Sequence, residues 1–278
     1  MSTAVVALPL RLRSTLVLGV ASLAGLMMLV WPLLVRLPDG ALVGAPLDPP
    51  FVFLLLLPLV IVVVLAEFTE GGMDSRVLAI LGVLSAINAI MRGLSAGVAG
   101  VELVFFLLIL AGRVFGPGFG FALGCTSLFA SALLTGGVGP WLPYQMLVSA
   151  WVGMGAGLLP HRRTGRISGR AEIALLVVYG VVAAYAFGIL MNLSGWPFLL
   201  GIEVQGHEGS LSFVPGDPVL DNLRRFGVYT LLTSTGSWDT GRAITNSLAL
   251  VVLGPAVLAT LRRVSRRAVI AAPESPRV

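Results

Sequence analysis

Phe115-Gly116-Pro117-Gly118-Phe119-Gly120-Phe121-Ala122-Leu123-Gly124 opens an apolar run that continues to Leu134. Gly139-Pro140-Trp141-Leu142-Pro143-Tyr144-Gln145-Met146 opens a second, which continues to Leu159 and carries Gly153 and Gly157. A run of about 18–20 apolar residues, coiled as a helix, crosses a hydrocarbon core about 30 Å thick. Gly136, Gly137, Gly139 and Pro140 lie between the two runs and supply a turn. The stretch therefore reads as a hairpin of two membrane helices. Glycines at 116, 118, 120 and 124, and again at 153 and 157, let helix backbones approach closely where lipid offers no hydrophobic drive to associate.

Outward from this hairpin the same pattern repeats. Ser14–Val35 follows Arg11 and Arg13; its apolar run is too long for a typical signal peptide and reads as a retained helix. Phe51–Ala66 is the next run, after Asp48-Pro49-Pro50. Val77–Met91 and Ala99–Gly112 are shorter, separated by the glycine-containing Arg92–Gly97 turn, and are tilted or re-entrant if they enter the membrane. Ile173–Pro197 and Asn246–Leu261 complete the set. The expectation is an all-α integral membrane protein: a polytopic helical bundle with about eight hydrophobic segments in one domain, 1–278.

Composition agrees. Of 278 residues, 57% are hydrophobic and 11% charged, and mean hydropathy is +0.98. Soluble domains carry about 25% charge, so this chain cannot cover a soluble surface. The net charge of +5 comes from arginine alone, since the chain has no lysine. With the amino terminus inside and eight crossings, thirteen of the eighteen arginines fall on the cytoplasmic side. That excess obeys the positive-inside rule and places both termini in the cytoplasm. It also assigns the arginine clusters to topology, not nucleic acid. Residues 263–278 then form a basic cytoplasmic tail, and 198–241 forms an external loop. The loop holds Pro215, Pro218 and the helically spaced Leu220–Ser234, and it reads as a cap.

Several chemistries are missing. A Walker A loop needs a lysine, so the chain cannot hydrolyse ATP in the P-loop manner, and it is not read as an enzyme. His161 and His207 lie on opposite sides in this topology, and Cys125 is a single thiol inside an apolar run; no metal centre or cofactor is expected.

The stretch Phe115–Pro160, from Phe-Gly-Pro through the glycine-spaced run to Gly139–Met146, resembles the substrate-binding S component of energy-coupling factor (ECF) transporters. A weaker likeness follows at Trp238, Asp239, Arg242 and Asn246. About half of the chain is covered. S components commonly have six helices and about two hundred residues, so the likeness implies a six-helix core with extra spans. It further implies a membrane subunit that binds a vitamin or related micronutrient with high affinity, partnered by a transmembrane coupling subunit and two cassette ATPases. Resemblance to the cobalamin-type members, together with the large external loop, favours cobalamin as the ligand. Small residues on the first helix, here Ala21, Ala24 and Gly25, would dock on the coupling subunit; contact within the chain is the alternative.

Trp141, Tyr144 and Gln145 open one span; Asn192 and Trp196 close another; Trp238, Asp239, Arg242 and Asn246 open the last. These nine are the candidate substrate-binding residues. Aromatics at such positions also serve as membrane-interface anchors, and Asp239 with Arg242 is also an ordinary ion pair one turn apart. Arg92 and Glu102 read as a structural pair. The alternatives to transport are a membrane enzyme and an assembly or structural subunit of a membrane complex.

Overall fold

The computed structural model describes residues 12–34, 75–95, 101–139, 141–160, 168–199, 201–204 and 208–270. The expected span at Phe51–Ala66, His161, His207 and the tail beyond 270 lie outside these residues. Every regular element among the described residues is helical. They are α1 (Leu12–Leu34), α2 (Ser75–Ser95), α3 (Val104–Phe115), α4 (Pro117–Thr135), α5 (Leu142–Leu158), α6 (Arg170–Gly195), α7 (Val219–Thr230), α8 (Thr240–Val252) and α9 (Gly254–Ile270). A short 3-10 turn, Trp196–Phe198, follows α6, and a π-helical stretch, Leu231–Asp239, joins α7 to α8. With 21, 19 and 26 residues, α2, α4 and α6 are long and apolar enough to cross a bilayer.

The centre of the bundle is α3. It has twelve residues, all of them buried. At 1.5 Å per residue it reaches about 18 Å, well short of a membrane's thickness. Such a helix is stable in the membrane because it is wrapped by α4, α5, α8 and α9, and an apolar surface all round suits that position. Its ends carry opposite charges: Glu102 precedes its first turn and Arg113 lies in its last. Both complement the helix dipole.

Gly116 reverses the chain between α3 and α4. Its φ of 101° is a region only glycine adopts freely, its N–H donates to the Gly112 carbonyl at 2.9 Å, and Pro117 starts the next helix. The two helices fold back along α5. A Cβ on Gly112 or on Gly120 would collide with the Gly153 carbonyl oxygen, and one on Gly124 would collide with Ala150. Gly157 of α5 packs against the turn, where a Cβ would come 2.5 Å from Pro117 N. Close packing is thus the role of Gly120, Gly124, Gly153 and Gly157. Tyr179 on α6 joins the knot, its hydroxyl donating to the Val152 carbonyl at 2.6 Å.

The amino-terminal helix packs on the same body. A Cβ on Gly25 would collide with the Leu147 side chain, Ala21 is buried, and Trp151 Nε1 donates to Ser22 Oγ at 2.9 Å. On its other flank the bundle is laced by polar pairs between α2 and α4: Ser85–Thr126 at 2.7 Å, Asn88–Ser127 at 3.0 Å and Arg92–Ser131 at 3.0 Å. Buried polar side chains on a membrane helix demand such partners.

The structure departs from the sequence reading at two places. The short segment expected at Ala99–Gly112 forms its helix later, at Val104–Phe115. The last span, read as one helix over Asn246–Leu261, is bent by 67° between Val252 and Gly254. Pro255 has no N–H to give to the carbonyl one turn back. The buried Gly254 seats the bend on Ile173, whose Cδ1 would lie 3.3 Å from an added Cβ.

Candidate substrate-binding site

The sequence-derived candidates gather at one end of the bundle, where α2 and α6 finish and α3, α5 and α8 begin. At the centre of this end is Glu102. Its Oε2 accepts from Arg242 Nε at 2.8 Å, and its Oε1 lies 4.0 Å from Arg92 Nε. Arg242 Nη1 donates to Asp239 Oδ1 at 3.1 Å, while Asp239 Oδ2 accepts from Ser234 Oγ at 2.9 Å. On the other side Arg92 Nη2 donates to Gln145 Oε1 at 3.1 Å. One chain of contacts therefore runs from α5 through α2 and the α3 start to α8. Two arginines face two carboxylates, so the network is electrically balanced, the condition under which charges survive burial.

Arg242 shows how deep the network lies. Its guanidinium is 4.8 Å from the Phe187 ring centroid and 5.6 Å from that of Phe105, a cation–π setting shielded from water. Asp239 is fully buried against α6, where a Cβ on Gly188 would collide with its carboxylate.

The π-helical stretch aims Asp239. In a π-helix, residues five apart stack, and three side-chain bonds here follow that spacing. Ser234 donates to Asp239, Thr235 Oγ1 to the Thr230 carbonyl at 3.2 Å, and Thr240 Oγ1 to the Thr235 carbonyl at 2.6 Å. Tyr185 OH pairs with Thr240 Oγ1 at 2.9 Å and ties the stretch to α6.

Asn246, fully buried one turn further along α8, donates through Nδ2 to the Glu102 carbonyl at 2.7 Å and the Arg242 carbonyl at 2.9 Å. Its Oδ1 has no hydrogen-bond partner among the described residues, nor does Asn192 Nδ2 on α6 or Asn88 Oδ1 on α2. Unsatisfied buried polar atoms are costly. A substrate with polar groups would satisfy them.

The aromatic candidates divide. Tyr144 is buried beside Gln145. Trp141 and Trp238 are 51% and 44% exposed, with Trp141 Nε1 bonded to the Gly137 carbonyl at 3.2 Å, so both rings remain available at this end. Trp196 is fully buried in a second core with Leu193, Phe213 and Phe226. It stands edge-on to Phe213 at 5.5 Å, and its Nε1 donates to the Leu211 carbonyl at 2.8 Å. Trp196 thus pins the segment carrying α7 onto the end of α6. Asn222 fixes the turn before α7 with a pair of bonds to Val214, at 2.9 and 2.8 Å.

Sequence reasoning read the Arg92–Glu102 and Asp239–Arg242 pairs separately. It missed that Glu102 joins them, and it missed Phe105, Phe187, Ser234 and Asn88. A second cluster also went unread. At the opposite end Glu172 accepts from Arg113 Nε at 3.0 Å and from Arg262 Nη2 at 2.6 Å, and Arg113 Nη1 reaches the Leu159 carbonyl at 2.9 Å. No group of metal-binding side chains occurs among the described residues.

A helical bundle with apolar spanning helices, a glycine-packed hairpin and a balanced polar cluster at one end belongs to the class of multi-pass membrane proteins. The family model for the substrate-specific component of ECF transporters matches residues 76–261. The chain belongs to that family, and is thus a membrane substrate-binding subunit of ECF-type uptake. No curated protein and no solved structure matches it.

Proposed function

We propose that the Glu102 end is where substrate is captured, that this end faces outward, and that the substrate is a vitamin or related micronutrient. The observation that carries the reading is the open hydrogen-bonding capacity of two buried amides at this end, Asn246 Oδ1 and Asn192 Nδ2. Binding sites of this kind are mostly apolar, with a few placed polar groups that set orientation. Tyr144, Trp141 and Trp238 supply flat apolar area; Gln145, Asn192, Asn246 and the Asp239–Arg242 pair supply the polar groups. In this reading Trp196 acts indirectly, by holding the α7 cap. Cobalamin is the preferred ligand, since a broad cap suits a bulky molecule and the Phe115–Pro160 stretch resembles cobalamin-type members.

The arginine distribution supports the outward orientation, with both termini in the cytoplasm of a prokaryotic cell. Energy would come from two cassette ATPases acting through a transmembrane coupling subunit. Ala21, Ala24 and Gly25 remain the proposed docking positions, although Gly25 is packed on Leu147 within the chain. The test is reconstitution. The isolated chain in liposomes is expected to bind micronutrient without accumulating it or turning over ATP, and accumulation is expected once the partner subunits are added. ATP turnover by the chain alone would refute the proposal.

A further inference from the structure

At the opposite end, beneath the bend between α8 and α9, lies a groove of about 790 Å³. Its walls are apolar: Ile173, Ala174 and Val177 of α6 meet Val251, Pro255 and Leu258 across the bend. The groove exists because the chain turns by 67° at Gly254, swinging α9 away from the line of α8. The small side chains of Ala174 and Ala259 keep it wide. Volumes of about 300–1,000 Å³ hold a small organic molecule.

One rim of the groove is cationic. Arg170 and Arg262 border it, and Arg266 continues the α9 stripe of Leu258, Ala259 and Arg262 by one more turn. The acid here, Glu172, is already taken by Arg113 and Arg262. Arg170 is exposed and makes no ion pair among the described residues. It also stands in the first turn of α6, whose amide groups have no side-chain cap and whose acidic residue, Glu172, is turned to Arg113 and Arg262.

The geometry points to a binding site for one anionic phospholipid of the surrounding bilayer. One of its acyl chains lies in the apolar groove under the bend, and its phosphate meets Arg170 and Arg266 at the rim. An amphiphile is the occupant that matches a groove apolar along its walls and cationic at one rim. Basic pockets between membrane helices recognise lipid headgroups in this way. The site is separate from the Glu102 end and does not depend on what substrate binds there.

The experiment is lipid retention by the full chain in detergent, measured by mass spectrometry after exposure to mixed phosphatidylglycerol and phosphatidylcholine. Phosphatidylglycerol is expected to stay bound in preference. Ala259→Trp, which fills the groove, is expected to abolish that retention. Arg170→Ala and Arg266→Ala are each expected to weaken it roughly fivefold, the factor equivalent to about 1 kcal/mol per basic side chain at an anionic surface. Equal retention of both lipids would overturn the proposal, as would unchanged retention in Ala259→Trp. Competition by glycerol phosphate as effective as by phosphatidylglycerol would also overturn it, since the site would then hold a free phosphate. Loss of coupling-subunit assembly in Ala259→Trp with lipid retention intact would give the groove to a protein partner instead.

Discussion

The Glu102 carboxylate accepts a hydrogen bond from Arg242 Nε at 2.8 Å across 140 positions of sequence. With the Asn246 Nδ2 bond to the Glu102 carbonyl at 2.7 Å, it holds the start of α3 to α8. Because Arg242 is nearly buried and lies over Phe187, removing Glu102 leaves a desolvated cation with Asp239 as its remaining carboxylate among the described residues. Breaking one side of a buried ion pair costs about 3–5 kcal/mol. Glu102 is partly exposed, with 23% of its side-chain surface accessible, which lowers the expected loss. Glu102→Ala is predicted to destabilise the folded protein by about 2 kcal/mol. Thermal unfolding in detergent checks this; a transition matching the parent would show that Asp239 alone suffices.

The clamp at the other end is stricter. Glu172 and Arg113 are almost fully buried, and one carboxylate oxygen serves both Arg113 and Arg262. Arg113→Lys is predicted to be nearly as damaging as Arg113→Ala. An ammonium on a flexible stem cannot donate to Glu172 and to the Leu159 carbonyl in the fixed geometry of a guanidinium. Yield of folded protein in size-exclusion chromatography checks the ranking.

Glycines divide into two groups with opposite predictions. Gly153→Ala drives a methyl into the Gly120 carbonyl and is predicted to force α4 and α5 apart, with loss of folded protein. Gly82→Ala on α2 meets nothing within 4 Å and is predicted to be neutral or to stabilise by up to about 1 kcal/mol through helix propensity. Unfolding temperatures of the two variants, compared directly, decide it.

Removing Trp196 is predicted to loosen the cap and leave the spanning helices intact, since its ring contacts are with Phe213 and Phe226. Trp196→Ala is expected to expose the α7 region to proteolysis. Large-to-small changes of this kind cost about 3–5 kcal/mol where the residue is buried. A cleavage pattern identical to the parent's would remove the anchoring role.

Much of this fold is legible in the sequence, for identifiable reasons. The α4–α5 hairpin shows because turn glycines and Pro140 punctuate two long apolar runs. Arg92–Glu102 and Asp239–Arg242 show because their partners are near in sequence. The link from Glu102 to Arg242 does not, since no local pattern reports a contact between segments 140 residues apart. The same holds for Arg113 with Glu172, 59 residues apart. The Gly254-Pro255 break was present in the letters, but apolar residues on both sides carry the hydropathy across it. Trp196 illustrates a different limit. An aromatic at a span's end reads alike as belt, ligand contact or core, and only burial and the Leu211 bond assign it to the cap.

Pocket residues are expected to separate from scaffold residues by binding. Truncating Gln145 or Asn246 to alanine is predicted to weaken ligand binding by about 1–3 kcal/mol, or roughly 5- to 150-fold. Arg263→Ala, exposed at the far end of α9, is predicted to leave it unchanged. Equilibrium titration of the folded variants provides the comparison. Parent-like binding by both alanine variants would move the pocket elsewhere.

Capture of a micronutrient by this chain alone, at the Glu102 end, is open to direct measurement. The most direct measurement is mass spectrometry of what co-purifies with the chain expressed without partner subunits in rich medium. One vitamin-class small molecule is expected, near one per chain in the parent and depleted in Asn246→Ala. Recovery of no small molecule from folded parent protein, or equal recovery from the variant, would contradict it.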